Sequence, residues 1–191
     1  AAVTLWLTGS PPGEATAELT HAEQLFSTSG DAAGKVLAAT GLARAHWRAG
    51  RTAHALACVL PLRDEGVQVL SGSQRGVLLN TIAGCYSALE QSDQAFAYMY
   101  QALRDARPRR AHGYDAFLHC NLAHELLQLG DFHEALRHVD QGLERCEKLK
   151  NPRLLGVLLV NRIICLTELD RAAEALPDIR RVHALPTGPQ G

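Results

Sequence analysis

The sequence predicts an all-α protein built from repeated helix pairs. Three observations lead to this prediction: the composition, an internal period and the spacing of apolar residues. Of the 191 residues, 30 are Leu and 29 are Ala, whereas Phe, Trp and Tyr together make up only 5%. Ala loses no side-chain entropy in a helix and Leu loses little, so a core made of these residues favours helices. No strands are predicted.

The second observation is a period of 40 residues. Rows of this length align a column of alanines at Ala15, Ala55, Ala95, Ala135 and Ala175. Another column, at a turn between helices, holds Gly50, Glu90, Gly130 and Asp170. Self-similarity at a fixed period of about 20 to 50 residues indicates a repeat array, in which each unit buries its apolar face against its neighbours.

The third observation is helical spacing, which is clearest between residues 114 and 149. The first helix of this pair, at 114–129, carries apolar residues at Phe117, Leu118, Leu122, Leu126 and Leu129. Gly130 ends that helix, and Asp131 caps a second helix at 132–149. Because the turn is so short, the two helices are expected to be antiparallel neighbours.

The same pattern predicts the other elements. A lone helix at about 11–27 looks like the second half of an incomplete repeat. The remaining helix pairs are expected at 31–49 and 52–65, 73–89 and 92–106, and 153–169 and 171–184. Asp31 and Asn151 are expected N-caps. Pro61 and Pro177 lie inside second helices, where proline removes a backbone hydrogen bond, so we expect a kink or an early end there.

These elements define the expected domain organisation. Residues 1–30 form the leading helix of an incomplete repeat, residues 31–185 form four helix pairs, and residues 186–191 form a linker or tail. The four pairs span about 31–70, 71–110, 111–150 and 151–185.

Charge and hydropathy exclude two classes of partner. The chain has 19 Lys and Arg against 20 Asp and Glu, a formal net charge of -1, so no global field attracts nucleic acid or anionic lipid. The longest apolar run, 154–160, is too short to span a bilayer. The five cysteines are odd in number and form no C-x-x-C pair, which indicates free thiols in a reducing compartment, most simply the cytoplasm.

No catalytic or cofactor-binding motif is present, so we expect neither an enzyme activity nor a cofactor in this chain. Four histidines raise the question of a metal site: His119, His124, His133 and His138. The spacing of five residues within 119–124 and within 133–138 places the two members about 140° apart on a helix. We therefore interpret all four as helix-surface histidines, with a metal site as the alternative. Cys85 and Cys165 occupy one repeat position and are interpreted as buried packing residues, with a redox sensor as the alternative.

The residues from Asn121 to Leu136 resemble a tetratricopeptide repeat (TPR). The resemblance rests on Asn121-Leu122-Ala123, on Gly130-Asp131-Phe132 and on Glu134-Ala135-Leu136. A 40-residue period also suits HEAT or armadillo units, whereas TPR units have a nominal length of about 34 residues. The arrangement inside the repeat favours TPR, and the resemblance implies a right-handed α-solenoid of TPR-like antiparallel helix pairs.

The same segment is similar to the TPR sensor regions of bacterial regulators. These include the arrays that precede GGDEF diguanylate cyclase domains and those of MalT-type transcription activators. The resemblance implies a non-catalytic sensory or interaction domain that regulates a diguanylate cyclase output. A transcription regulator and a free-standing assembly scaffold are the alternatives. No GGDEF or helix-turn-helix motif occurs in the chain.

The resemblance also implies a binding groove on the concave side, lined by the first helix of each repeat and occupied by a peptide or protein. Its candidate residues are Arg44, Trp47, Asn80, Phe117, Asn121, His124 and Asn161. An amide both donates and accepts hydrogen bonds, so the Asn residues could pair with the backbone of an extended peptide. The alternative is that they form hydrogen bonds within the array.

A homodimer through the last repeat is a further expectation. A solenoid normally ends in a polar capping helix, whereas the last helix here carries Ala172, Ala175, Leu176, Ile179 and Val182 with no cap after it.

Overall fold

The computed structural model describes residues 12–106, 114–146, 149 and 151–186. Every regular element within these ranges is helical, which confirms the predicted all-α class. The helices are α1 (Pro12–Ser29), α2 (Ala32–Arg48), α3 (Thr52–Val59), a 3-10 turn (Leu60–Leu62), α4 (Arg63–Val69), α5 (Gly72–Ala88), α6 (Ser92–Ala106), α7 (Tyr114–Gln128), α8 (Phe132–Cys146), α9 (Pro152–Glu168) and α10 (Ala172–His183).

The chain forms two compact units, Ala1–Asp105 and Ala106–Gly191. The first contains α1 to α5 and nearly all of α6, and the second contains α7 to α10. Residues 1–11, nearly all of the expected tail at 186–191, and the expected repeat boundaries near 110 and 150 lie outside the described residues.

The turn column found in the sequence has one backbone conformation. Gly50 and Gly130 adopt φ of 74° and 75°, and Glu90 and Asp170 adopt φ of 58° and 56°. All four residues follow the first helix of a pair and lie in the left-handed region, which reverses the chain directly after the helix. The predicted ends of these four helices are therefore confirmed to within a residue or two.

Asp31, Asp131 and Asn151 cap the helices that follow them. The Gly34 N–H donates to Asp31 Oδ1 at 2.9 Å, the Glu134 N–H to Asp131 Oδ1 at 3.2 Å, and the Leu154 N–H to Asn151 Oδ1 at 3.0 Å. Each cap satisfies a backbone donor that has no partner inside its helix. The caps expected at Asp31, Asp131 and Asn151 are confirmed.

The two internal prolines differ in their effects. The helix expected at 52–65 is divided into α3, the 3-10 turn that contains Pro61, and α4, which continues to Val69. Proline has no N–H to donate to the preceding turn, so the α-helical ladder is interrupted there. By contrast, α10 contains Pro177 and continues to His183, so the expected early end is not found at this position.

Each unit has an apolar core between consecutive helices. In the first unit the core is built from α2, α3 and α5, around Val36, Val59 and Ile82. In the second unit it is built from α7, α8 and α9, around Ala123, Val139 and Leu158. Four members of the alanine column, Ala55, Ala95, Ala135 and Ala175, are buried, whereas the side chain of Ala15 lies outside the described part of the structure.

One arginine of the second unit joins three helices. Arg162 of α9 donates from Nε to Asp140 Oδ1 of α8 and from Nη1 to Asp178 Oδ2 of α10, both at 2.7 Å. Asp178 is buried, so the guanidinium supplies the positive charge that an ionised carboxylate requires there.

Candidate functional site

The candidate groove residues are divided between the two units. Arg44 and Trp47 lie on α2 and Asn80 on α5, all in the first unit. Phe117, Asn121 and His124 lie on α7 and Asn161 on α9, all in the second.

In the first unit, Trp47 packs against a neighbouring helix. A Cβ atom added to Gly84 of α5 would lie 2.6 Å from Cη2 of the Trp47 indole, so the ring fills the space that a side chain at position 84 would need. Trp47 also packs against the apolar core of this unit and is half-buried. Arg44 and Asn80 are half-buried as well. None of these three candidates is fully exposed.

In the second unit, three candidates share one face of α7. Phe117, Asn121 and His124 are spaced i, i+4 and i+7, which places them on the same side of the helix. Phe117 is 40% exposed, His124 is exposed and Asn121 is half-buried. On the opposite side of α7, Leu118 and Leu122 are fully buried.

A matching face lies on α9, which is in contact with α7. Val157, Val160 and Ile164 are all more than 40% exposed, and their spacing places them on the same face of α9 as Asn161. We call the combined surface the α7–α9 surface: Phe117, Asn121 and His124 of α7 with Val157, Val160, Asn161 and Ile164 of α9. Four exposed apolar side chains on two neighbouring helices make a patch of the kind that marks interaction sites.

Asn161 has a buried side-chain donor that lacks a hydrogen-bond acceptor among the described residues. The residue is 6% exposed, and the donor is its Nδ2 atom. An unsatisfied buried donor costs about 1–3 kcal/mol, so such a group is retained only where something compensates for it.

The histidines differ from the sequence interpretation. His124 and His133 are exposed, as expected, but His119 and His138 are only 1% exposed, so the surface interpretation is wrong for these two. Their Nδ1 atoms lie 2.9 Å apart across the contact between α7 and α8. In the described ranges, no group of three or more His, Cys, Asp or Glu side chains is arranged to hold a metal ion.

The cysteines behave as packing residues. Cys85, Cys120 and Cys165 are buried, and burial raises the pKa of Cys85 and Cys165 to about 11 and that of Cys120 to about 12. A neutral thiol is a poor nucleophile, and redox-sensing cysteines are usually exposed thiolates. The buried position expected for Cys85 and Cys165 is confirmed.

No helix in the part of the chain that the structure describes has both the length and the apolar character needed to cross a membrane.

Comparison with known families gives two matches, both to models described as tetratricopeptide repeat. One covers residues 74–148, which contain most of α5 and all of α6, α7 and α8, and the other covers residues 36–60. No curated protein matches the chain.

Solved structures share the fold at low sequence identity. A structure described as kinesin light chain TPR-like repeats from Podosopora anserina has a TM-score of 0.72 and 18% identity, over 96% of this chain and 90% of that one. BtubC from P. vanneervenii has a TM-score of 0.72 and 14% identity, over 94% and 85% of the two chains. PlcR from Bacillus thuringiensis, in its apo form, has a TM-score of 0.70 and 15% identity, over 96% and 72%. At these identities the likeness concerns the fold.

Proposed function

Because this chain contains tetratricopeptide repeats, we propose that it is a non-catalytic interaction module that binds an extended peptide or protein segment on the α7–α9 surface. The observation that carries the proposal is the combination of exposed apolar side chains with the buried, unpartnered amide of Asn161 on that surface.

The two kinds of side chain suit two parts of an extended ligand. Phe117, Val157, Val160 and Ile164 offer apolar area that a ligand side chain would cover, at a gain of about 25 cal/mol per Å² removed from water. The Nδ2 of Asn161 needs an acceptor, and a peptide carbonyl supplies one without regard to sequence. The ligand would thus be held by its backbone at Asn161 and selected by an apolar side chain beside it.

The experiment uses a displayed library of random peptides, selected on the chain. Affinities of the enriched peptides are then measured for the wild type and for three variants: Asn161→Ala, Phe117→Ser and Ile164→Ser. Loss of one apolar contact, or of the hydrogen bond from the Asn161 side chain, is expected to cost about 1–2 kcal/mol of binding free energy. This weakens binding roughly tenfold.

The matched control is Leu129→Ser. Leu129 is 59% exposed at the end of α7 and lies outside the α7–α9 surface, so its replacement should leave the affinity unchanged. Circular dichroism of every variant checks that the helices are retained. If the enriched peptides bind all three surface variants as tightly as the wild type, the proposed site is wrong.

A homodimer through α10 is a second candidate interaction. Leu176 and Ile179, three residues apart on α10, are 53% and 37% exposed. Ala175 is buried and Val182 packs into the core, so the candidate patch is smaller than the one expected from the sequence. Light scattering at high concentration is expected to show a dimer that Leu176→Glu dissociates, and a wild-type monomer would contradict this.

For the parent protein, we propose on the sequence resemblance a cytoplasmic bacterial signalling protein in which this module regulates a GGDEF diguanylate cyclase. A transcription regulator of the MalT type and a free-standing scaffold remain the alternatives. Reading the gene beyond the codon for Gly191 distinguishes them, since a GGDEF sequence, a helix-turn-helix sequence and a stop codon are three different results.

A further inference from the structure

The second unit contains a pair of buried histidines that the proposed function does not use. His119 of α7 and His138 of α8 are each 1% exposed, and their rings are tilted by 38° with centroids 5.1 Å apart. The two Nδ1 atoms face each other at 2.9 Å, which is hydrogen-bond distance. At least one of these two atoms must therefore lack a hydrogen.

A neighbouring arginine determines which histidine donates. Nη2 of Arg137 lies 3.0 Å from Nε2 of His138, and a guanidinium can only donate. Nε2 of His138 is therefore the acceptor, so a neutral His138 carries its hydrogen on Nδ1 and donates it to Nδ1 of His119. His119 then carries its own hydrogen on Nε2. Both rings are neutral in this arrangement.

The charged groups around the pair are largely engaged with one another. On α8, Glu134 Oε1 lies 3.6 Å from Nε2 of His138, but the Glu134 carboxylate also binds the Arg137 guanidinium, with Arg137 Nε 2.8 Å from Oε2. Asp115 of α7 binds Arg145 of α8 at 2.7 Å, and Arg162 of α9 binds Asp140 and Asp178. Glu125 of α7, 8% exposed, is six residues from His119, about 120° around the helix.

We propose that the His119–His138 pair is a proton-sensitive contact, which holds α7 against α8 at neutral pH and weakens as the pH falls below about 6. One added proton can reside on Nε2 of His138, beside Glu134, if Arg137 moves away. A second proton would have to reside on Nδ1 of His119, where it would point at the hydrogen on Nδ1 of His138. The intact contact thus accepts at most one added proton. This inference does not depend on the proposed ligand site at the α7–α9 surface.

The direction of the effect follows from proton counting. In the unfolded chain each histidine can bind an added proton, with a pKa near 6.5. The folded pair, with its contact intact, binds at most one added proton. The unfolded state therefore binds more protons below about pH 6.5, so the contribution of the pair to stability is present above that pH and lost below it. One proton that binds only to the unfolded chain raises the unfolding equilibrium constant about 25-fold between pH 7 and pH 5.

The first test compares three proteins by chemical denaturation at about pH 7 and about pH 5: the wild type, His138→Gln and, as matched control, His133→Gln. Gln at position 138 can turn its amide oxygen toward a protonated His119, so this variant should lose less stability on acidification than the wild type, by about 25-fold in the equilibrium constant. His133 is exposed on the same helix, so its variant should follow the wild type. Equal acid sensitivity of His138→Gln and the wild type would overturn the proposal.

The second test needs no variant and decides the matter if His138→Gln fails to fold. NMR titration follows the ring signals of His119 and His138 in the folded wild type as the pH falls toward about 5. One of His119 and His138 should remain neutral over the same range. Protonation of both buried rings in the folded chain would refute the inference, and it would do so whether or not the α7–α9 surface binds a peptide.

Discussion

Glu90 adopts the left-handed backbone conformation, φ 58°, that Gly50 adopts one repeat earlier with φ 74°. The two residues occupy the same turn, and Gly130 and Asp170 occupy it in the next two repeats. An L-residue pays about 1–2 kcal/mol for this conformation because its Cβ approaches the following carbonyl oxygen, whereas glycine has no Cβ. The turn therefore requires the left-handed backbone conformation rather than a particular side chain. In two of the four repeats, a residue other than glycine adopts this conformation with some loss of stability.

Replacing Glu90 with Gly is expected to raise the free energy of unfolding by about 0.5–1 kcal/mol, since relief of the strain exceeds the extra chain entropy of glycine. The converse change, Gly50→Ala, should lower it by about 1 kcal/mol. Chemical denaturation measures both. Glu144→Gly, at an exposed position within α8, serves as the control and should destabilise by about 1 kcal/mol. A destabilised Glu90→Gly variant would show that the side chain and not the backbone governs this turn.

Gly66 of α4 lies where no side chain fits. A Cβ atom at this position would be closer to Leu78 Cδ2 than van der Waals contact allows, and 3.0 Å from Val36 Cγ1. Gly66→Ala should therefore destabilise the first unit by about 1–3 kcal/mol, as overpacking of a core does. Gly156→Ala is the matched control, because among the described residues its Cβ would meet only Leu185 Cδ1, at 3.2 Å. Thermal unfolding should show the control unchanged or more stable, since Ala favours a helix over Gly.

Arg162→Leu removes the ion-pair partner that the buried Asp178 carboxylate has among the described residues. An uncompensated buried charge typically costs about 3–5 kcal/mol, and because Arg162 is itself 27% exposed we expect the lower end, about 3 kcal/mol. Urea denaturation measures the loss. Arg171→Leu, which breaks an exposed pair with Glu174, is the control and should change the stability much less. Equal effects of the two changes would mean that the burial of Asp178 has no energetic consequence.

Alkylation of the folded chain is expected to modify Cys58 first. Burial and, to a smaller degree, the carboxylate of Glu23 raise its pKa, but it is the only one of the five thiols that is half-buried rather than buried. The pKa of Cys120, raised to about 12 by burial, leaves almost no thiolate at a pH of about 8. Mass spectrometry after brief iodoacetamide treatment should find Cys58 labelled and the others labelled only in denaturant. Labelling of Cys120 as fast as Cys58 would contradict its packed position.

The repeat pattern predicts those parts of the fold that recur. The alanine column is buried because the same helix crossing returns every 40 residues, and the turn column has one backbone conformation for the same reason. The division of the helix around Pro61 was predictable because a missing N–H is a local property of one residue. The continuation of α10 past Pro177 was not, since the local cost of proline is there outweighed by packing that the sequence does not display.

The buried histidine pair was missed because its members were compared with their neighbours on the same helix. Contact between α7 and α8 joins residues that lie at similar distances from the turn. His119 precedes Ala123 by four residues and His138 follows Ala135 by three, so both lie one helical turn further from Gly130 than these crossing alanines. These matching distances from the turn at Gly130 would have predicted a contact between His119 and His138. For Asn161, the sequence could not show that the side-chain amide is buried without a partner among the described residues, because that depends on the side chains packed around it.

Arg162 also affects how α10 opens. In a linear repeat array each helix pair is held by its neighbours, so a single helix can open locally and exchange its amide hydrogens with solvent. Here, separation of α10 from α9 would leave Asp178 without its cation, and movement of Arg162 with α10 would break its bond to Asp140 of α8. We therefore expect α8, α9 and α10 to open as one segment, so that the amide hydrogens of α10 exchange with solvent no faster than those of α8 and α9.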